Sequence, residues 1–209
     1  GVDTGMFYKR RDYTRIVNGK NPIVAHEFLG DNIDGKDVII IDDMISSGDS
    51  MIDTSRQLKE MNARRVFICC TFGLFTNGLE AFDKAYEKGL QIALNPSPFN
   101  EKLDAVDMSK ISYFLMNEVE GGQITGLTDP DEIIAKVVEL YPNAKIVLTL
   151  GGDGAIYADK DVKYHQPIFK VEAVDTTAAG DTFTGYFLAG IIDGMEIPDI
   201  LKMSAKASS

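Results

Sequence analysis

Apolar positions recur along this chain in two alternating rhythms. Runs dense in β-branched, aliphatic and aromatic residues lie at Gly5 to Tyr8, Ile23 to Phe28, Asp37 to Ile41, Arg65 to Thr71, Leu90 to Leu94, Ile111 to Met116 and Lys145 to Leu150, and such runs predict strands. Among them, apolar residues at three- and four-residue spacing predict helices over about Gly48 to Met61, Asn77 to Lys88, Asp131 to Leu140, Asp181 to Ile192 and Pro198 to Ser208. Strands alternating with amphipathic helices imply βα units. The expected fold is therefore α/β: a mainly parallel sheet with flanking helices in a three-layer, Rossmann-like architecture. The four aliphatic residues Val38 to Ile41 suit a strand covered on both faces. In open sheets of this kind ligands bind beyond the carboxyl ends of the strands, so the chemistry is sought in the residues that follow each run.

The chain has 209 residues, 44% hydrophobic and 25% charged, enough for one large domain or two small ones. A net charge of −11 argues against a broad nucleic-acid surface, because phosphate-backbone binding is driven by Lys and Arg. An anionic ligand must then be held by local amides or a small basic cluster. No run of apolar residues is long enough for a membrane span and no secretory pattern opens the chain, so a cytoplasmic location without membrane partners is expected. The two cysteines, Cys69 and Cys70, are adjacent within "VFICCTF" and are expected as buried thiols pointing to opposite faces of a strand. The histidines, His26 and His165, are too remote in sequence to suggest a metal site with them. "PDILKMSAKASS" stops without a Gly or Asn terminator, and "GVDTGMFY" begins without Met. The fold is thus expected to be truncated at both ends, with exposed apolar edges that favour a homo-oligomer.

"VIIIDDMISSGDS" places Asp42 and Asp43 where a strand is expected to emerge. Ser46, Ser47, Gly48, Asp49 and Ser50 then lead into a helix, where backbone N–H groups can converge on an anion. Carboxylates beside such a cradle suit the hydroxyls of a sugar or a magnesium ion, so the combination describes a phosphorylated ribose. Ser47 or Asp49 as a plain helix cap is the other reading. Lys9, Arg10 and Arg11 form a basic run in an acidic chain, which suits either a polyphosphate clamp or a solvated turn.

These residues resemble ribose-phosphate pyrophosphokinase, also called phosphoribosyl pyrophosphate synthetase, over about Gly1 to Gly89. "FYKRRDYTRIVNGKNPIVAHEFLGD" is similar to that family's flexible catalytic loop and the hairpin after it, and "RRVFICCTFGLFTNGLEAFDKAYEKG" to its next strand and helix. The resemblance implies that Asp42 and Asp43 bind ribose hydroxyls, that Ser46 to Ser50 bind the 5-phosphate, and that Lys9 and Arg11 stabilise the transferred pyrophosphoryl group.

In "VDTTAAGDTFTGYFLAG" the small residues Thr177 to Gly180 precede an apolar-periodic helix. The amides of Ala178, Ala179 and Gly180 can form an anion hole there, with Asp181 projecting into the same place as a base or as a plain first-turn acid. "TLGGDG", Thr149 to Gly154, reads as a phosphate-lining turn or as a hairpin turn. With "LQIALNPSPFNEKL", "YFLMNEVEGG" and "IVLTLGGDGAIY", this run resembles ribokinase, in the larger sugar-kinase family, over Leu90 to Ser209. The resemblance implies ATP and Mg2+ as cofactors, Asp181 as catalytic base, and Thr149, Gly151 and Gly154 along the nucleotide. It also implies that Asn117 and Glu120 organise magnesium through water, although on spacing alone they are ordinary residues beginning a helix, and that Asp175 and Thr177 belong to a monovalent-cation loop taking K+. The chain as a whole is expected to be a chimera, with a phosphoribosyltransferase-like segment over 1–89 and a ribokinase-like segment over 90–209, merged into one domain or separate. Its expected partners are a sugar or sugar phosphate and ATP, with weak or absent turnover.

Overall fold

A computed structural model describes residues 2–11, 14, 23–74, 76, 78–97, 99, 106–170 and 178–209. The chain divides into two compact units, Gly1–Ala81 and Phe82–Ser209. Among the described residues no helix is long and apolar enough to cross a membrane.

In the first unit β1 (Met6–Arg11) pairs antiparallel with β2 (Ile23–Leu29), Met6 opposite Leu29. β3 (Asp37–Ile45) and β4 (Arg65–Gly73) form a separate parallel pair joined by α1 (Asp49–Glu60). One face of this pair is covered: Leu58 of α1 is buried with Ile33 and Ala63, against Val38, Ile40 and Val66. The other face is open, with Ile39 56% and Ile41 75% exposed. This corrects the expectation of a strand covered on both sides, because a continuous aliphatic run does not reveal how many layers are available to cover it. Cys69, exposed on that face, and Cys70, half-buried on the other, correct the expectation of two buried thiols. Burial, with the neighbouring Cys69, pushes the Cys70 thiol up, away from a reactive thiolate. At the start of the pair, Asp37 accepts hydrogen bonds from both guanidinium groups of Arg64 and Arg65, at 2.5 to 3.1 Å.

α2 (Glu80–Tyr86) follows, and the second unit carries a five-stranded mixed sheet in the order β5-β6-β7-β8-β9. β5 (Ala93–Leu94), β6 (Tyr113–Asn117) and β7 (Lys145–Thr149) are parallel. β8 (Ala155–Ala158) and β9 (Lys163–Gln166) continue antiparallel, so the sheet is mixed. Alternation within the strands sorts the core into two layers. Phe114, Met116, Ile146 and Leu148 meet α4 (Pro130–Leu140) through Ile133, Ile134 and Val137. Tyr113, Leu115, Val147 and Tyr157 meet α5 (Ala179–Ile192) and α6 (Ile197–Ala207) through Phe183, Phe187, Ile200 and Leu201. This unit therefore has the expected three layers. Helix starts follow local chemistry: the Asp129 side chain accepts from the N–H groups of Asp131 and Glu132, with Pro130 in the first turn of α4.

Candidate functional site

The parallel strands of the second unit all end at the same edge, and a cleft of about 230 Å³ opens there. Asn95 and Ser97 lie beyond β5, Met116 and Asn117 end β6, and Thr149 ends β7, directly opposite Asn117 in the register. The start of α5 closes the far side with Ala178, Ala179, Gly180, Asp181 and Thr184.

Ala178 precedes α5 in the left-handed conformation, with φ 60° and ψ 15°, and among the described residues no side chain caps the helix. The first intrahelical bond runs from Thr182 N–H to Ala178 C=O at 2.8 Å. A left-handed residue followed by helical ones turns successive N–H groups toward one point, an arrangement that attracts anions. Gly180 adds room: a Cβ built there meets nothing within 4 Å. Asp181, exposed in the first helical turn, lines the same cleft and can accept a proton from a group held against those amides.

Asn117 and Glu120 form a reciprocal capping box at the start of α3 (Glu118–Thr125). Glu120 N–H donates to Asn117 Oδ1 at 3.0 Å, Asn117 N–H donates to Glu120 Oε2 at 2.9 Å, and Asn117 Nδ2 donates to Glu120 Oε1 at 3.2 Å. Glu120 is only 6% exposed. Both carboxylate oxygens thus already accept protein hydrogen bonds, and among the described residues no group of three or more His, Cys, Asp or Glu could hold a metal ion. This corner does not fit a direct magnesium site. Asp175 and Thr177, expected around a monovalent cation, lie outside the described residues.

Thr149 lines the cleft, its hydroxyl 3.4 Å from the Met116 carbonyl. Gly151 and Gly154 lie in the turn joining β7 to β8, outside the lining. Gly154 is required there by shape, since its φ is +98° and a Cβ would fall 2.0 Å from the Gln166 carbonyl oxygen. Asn95, Ser97 and Thr184 were not singled out by the sequence. Asn95 and Ser97 open "NPSP", whose Pro and Ser content reads as a plain loop, and Thr184 follows Asp181 by one turn of α5.

In the first unit the ribose-phosphate residues are placed less simply. β3 continues to Ile45, so Asp42 lies inside the strand opposite Cys70 rather than beyond its end. Adjacent strand residues face opposite sides, hence Asp42 and Asp43 do not converge on one diol here; Asp43 N–H donates to Asp42 Oδ1 at 2.9 Å. Ser46, Ser47 and Gly48 form the turn into α1, with Gly48 left-handed at φ 82° and no side-chain cap from that residue. Ser47 Oγ donates to Asp49 Oδ2 at 3.0 Å, and Ser50 opens the helix beside Asp49. Lys9 and Arg11 lie in β1, opposite His26 and Ile23, rather than in a loop; their side chains are outside the described part.

Residues 58–209 match the pfkB family carbohydrate kinase model, and residues 1–101 match the phosphoribosyl transferase domain model. The chain is 30% identical over 122 residues to a ribokinase of Lactococcus lactis, covering 58% of this chain and 39% of that protein. It is 29% identical over 215 residues to a ribokinase of Mus musculus, covering 97% of this chain and 62% of that protein. The chain therefore spans roughly two fifths to two thirds of the length of these curated relatives. Among solved structures, an Arabidopsis thaliana ribokinase complexed with ribose and ATP aligns at a TM-score of 0.60 and 23% identity, covering 92% of this chain and 59% of that one.

Proposed function

Because this chain belongs to the pfkB family of carbohydrate kinases, we propose that its second unit performs slow ATP-dependent phosphoryl transfer to a sugar hydroxyl of the ribose class. One observation carries the reading: Asp181 and the uncapped first turn of α5 face one cleft at the carboxyl ends of three parallel strands. The amides of Ala178, Ala179 and Gly180 neutralise the γ-phosphoryl group of ATP, and Asp181 orients the attacking hydroxyl and takes its proton. The new bond joins the sugar oxygen to phosphorus as the bond to the ADP oxygen breaks; most of the catalysis is alignment and charge neutralisation. Thr149, Gly151 and Gly154 belong to the nucleotide side of this reading, with Thr149 at the cleft itself.

The size of the cleft supports the reading of slow turnover. Small-molecule sites usually occupy about 300 to 1,000 Å³, so a cleft of about 230 Å³ takes the phosphate end of a nucleotide rather than nucleotide and sugar together. Positioning of both reactants accounts for much of an enzyme's rate.

The first unit, on the same reading, is a ribose-phosphate pyrophosphokinase-like segment joined to the kinase segment. Its Ser46 to Ser50 turn holds the phosphate of a sugar phosphate, with Asp42 and Asp43 nearby on β3, and its match to the phosphoribosyl transferase domain supports this.

Thermal unfolding with ATP tests the kinase reading, since a ligand at one hundred times its Kd stabilises by about 2.7 kcal/mol. Gly180→Asp is a clean control because the new side chain has open space, yet it places a carboxylate where the phosphate should sit. ATP should raise the unfolding midpoint of the natural protein and not of this variant. An equal rise in both, or none in either, rejects the site. Ribose 5-phosphate should stabilise through the first unit and fail to do so when Asp42→Ala and Asp43→Ala are combined.

A further inference from the structure

We infer that Glu120 is a positioning residue for the cleft: it clamps Asn117 and does not itself take magnesium. In the second unit it is the one charged side chain among the buried described residues, at 6% exposure, and it touches the cleft wall. Three hydrogen bonds join the pair. The Asn117 carboxamide accepts from Glu120 N–H at 3.0 Å and donates to Oε1 at 3.2 Å, while Oε2 accepts from Asn117 N–H at 2.9 Å. Asn117 therefore has a fixed carboxamide orientation at the last residue of β6, directly opposite Thr149 on β7. Packing holds the next residue equally firmly, because a Cβ on Gly121 would come 2.7 Å from the Ile133 side chain. The clamp thus joins the end of β6 to the start of α3 at the rim where the nucleotide phosphates are proposed to lie.

The hydrogen bonds have a direction, and that direction supplies the test. Glu120→Gln turns one acceptor into a donor facing Asn117 Nδ2, leaving two donors opposed. Asn117→Asp alone opposes two carboxylates. Made together, the two substitutions exchange the donor and acceptor, restore all three bonds and preserve net charge. Each single variant should lower the unfolding midpoint of the ligand-free, magnesium-free protein, and the double variant should return it toward the natural value, a strong coupling in a double-mutant cycle. Additive losses in the double variant would overturn the clamp.

Calorimetric titration with magnesium alone separates positioning from metal binding. Magnesium binding that the natural protein shows and Glu120→Gln abolishes would overturn the inference. With ATP as probe, which rests on the proposed kinase reading, Glu120→Gln should weaken binding by the same factor in EDTA and in magnesium. That factor is roughly tenfold, the worth of about one hydrogen bond. A loss confined to magnesium-containing buffer would identify a metal ligand instead. If the natural protein fails to bind ATP at all, the kinase reading falls, while the metal-free cycle still decides whether Glu120 clamps Asn117.

Discussion

Replacing Gly154 with alanine should unfold the second unit's β7–β8 connection without any ligand being involved. Gly154 has φ +98° and ψ −132°, a region that residues with a Cβ essentially avoid. The added methyl would lie 2.0 Å from the Gln166 carbonyl oxygen, 2.8 Å from Pro167 Cα and 2.9 Å from Ile168 N. All three are main-chain atoms, so no side-chain rotation relieves the contact. Backbone strain of about 1 to 3 kcal/mol and overpacking of about 1 to 3 kcal/mol together give a loss of roughly 2 to 6 kcal/mol. Gly152 is the internal control: its φ is not positive and a Cβ there meets nothing within 4 Å. Urea unfolding of the two variants, followed by far-UV circular dichroism, should show a large loss for Gly154→Ala and a change within about 0.5 kcal/mol for Gly152→Ala. Natural stability in Gly154→Ala, with only ATP binding reduced, would refute the steric reasoning and return this glycine to a purely nucleotide-contacting role.

Two further outcomes follow from packing and charge. Phe187 is fully buried on α5, stacked on Phe183 at a centroid distance of 6.5 Å and close to Tyr113 and Tyr157, so Phe187→Ala should cost about 3 to 5 kcal/mol by chemical denaturation. The guanidinium groups of Arg65 and Arg64 hold the Asp37 carboxyl well below the usual carboxylate range. Because its folded pKa is depressed, its contribution is present above the unfolded value near 4 and is lost as pH falls below it. Asp37→Asn should therefore flatten the stability profile below about pH 4, and added salt should shrink the difference; an acid limb unchanged by the substitution would exclude this ion pair as a contributor.

The alternation of strand and helix was legible because both periodicities were strong where packing is two-sided. β6 and β7 are buried along nearly their whole length, and Phe114, Met116, Ile146 and Leu148 declare one face while Tyr113, Leu115 and Val147 declare the other. β8 and β9 escaped notice because each has four residues, too few to establish a period, and the second carries Lys163, His165 and Gln166 on an exposed edge. The start of α3 at Asn117 and Glu120 was legible from spacing, but its extent was obscured by Gly121 and Gly122 in "EVEGGQIT", which weaken a helical pattern. The structure explains the first of them, since α4 packs so closely through Ile133 that a methyl at Gly121 would not fit. The open face of β3 illustrates the opposite failure. Ile39 and Ile41 have the composition of interior residues, and composition alone does not say what covers them.

The boundary between the two segments was harder to read than either segment. The sequence resemblance changes at Gly89 and Leu90, compactness divides the chain between Ala81 and Phe82, and the two family matches overlap over 58–101. A strand, a helix and another strand occupy that overlap, as β4, α2 and β5, and such a unit satisfies the hydrophobic pattern of many α/β folds. The two units also share a feature at their helix starts. α1 and α5 both begin from a left-handed residue that provides no side-chain cap, Gly48 at φ 82° and Ala178 at φ 60°. Each then has an acid in its first turn, Asp49 and Asp181. "SSGDS" and "AAGD" look unlike one another, yet both lead into their helices from a residue in the left-handed conformation. Glycine adopts it freely, whereas alanine accepts roughly 1 to 2 kcal/mol of strain, and the alanine stands on the wall of the cleft. The sequence motif therefore pointed to one wall of the cleft, but the left-handed conformation of Ala178 appears only in the fold, in a residue whose local preference is against it.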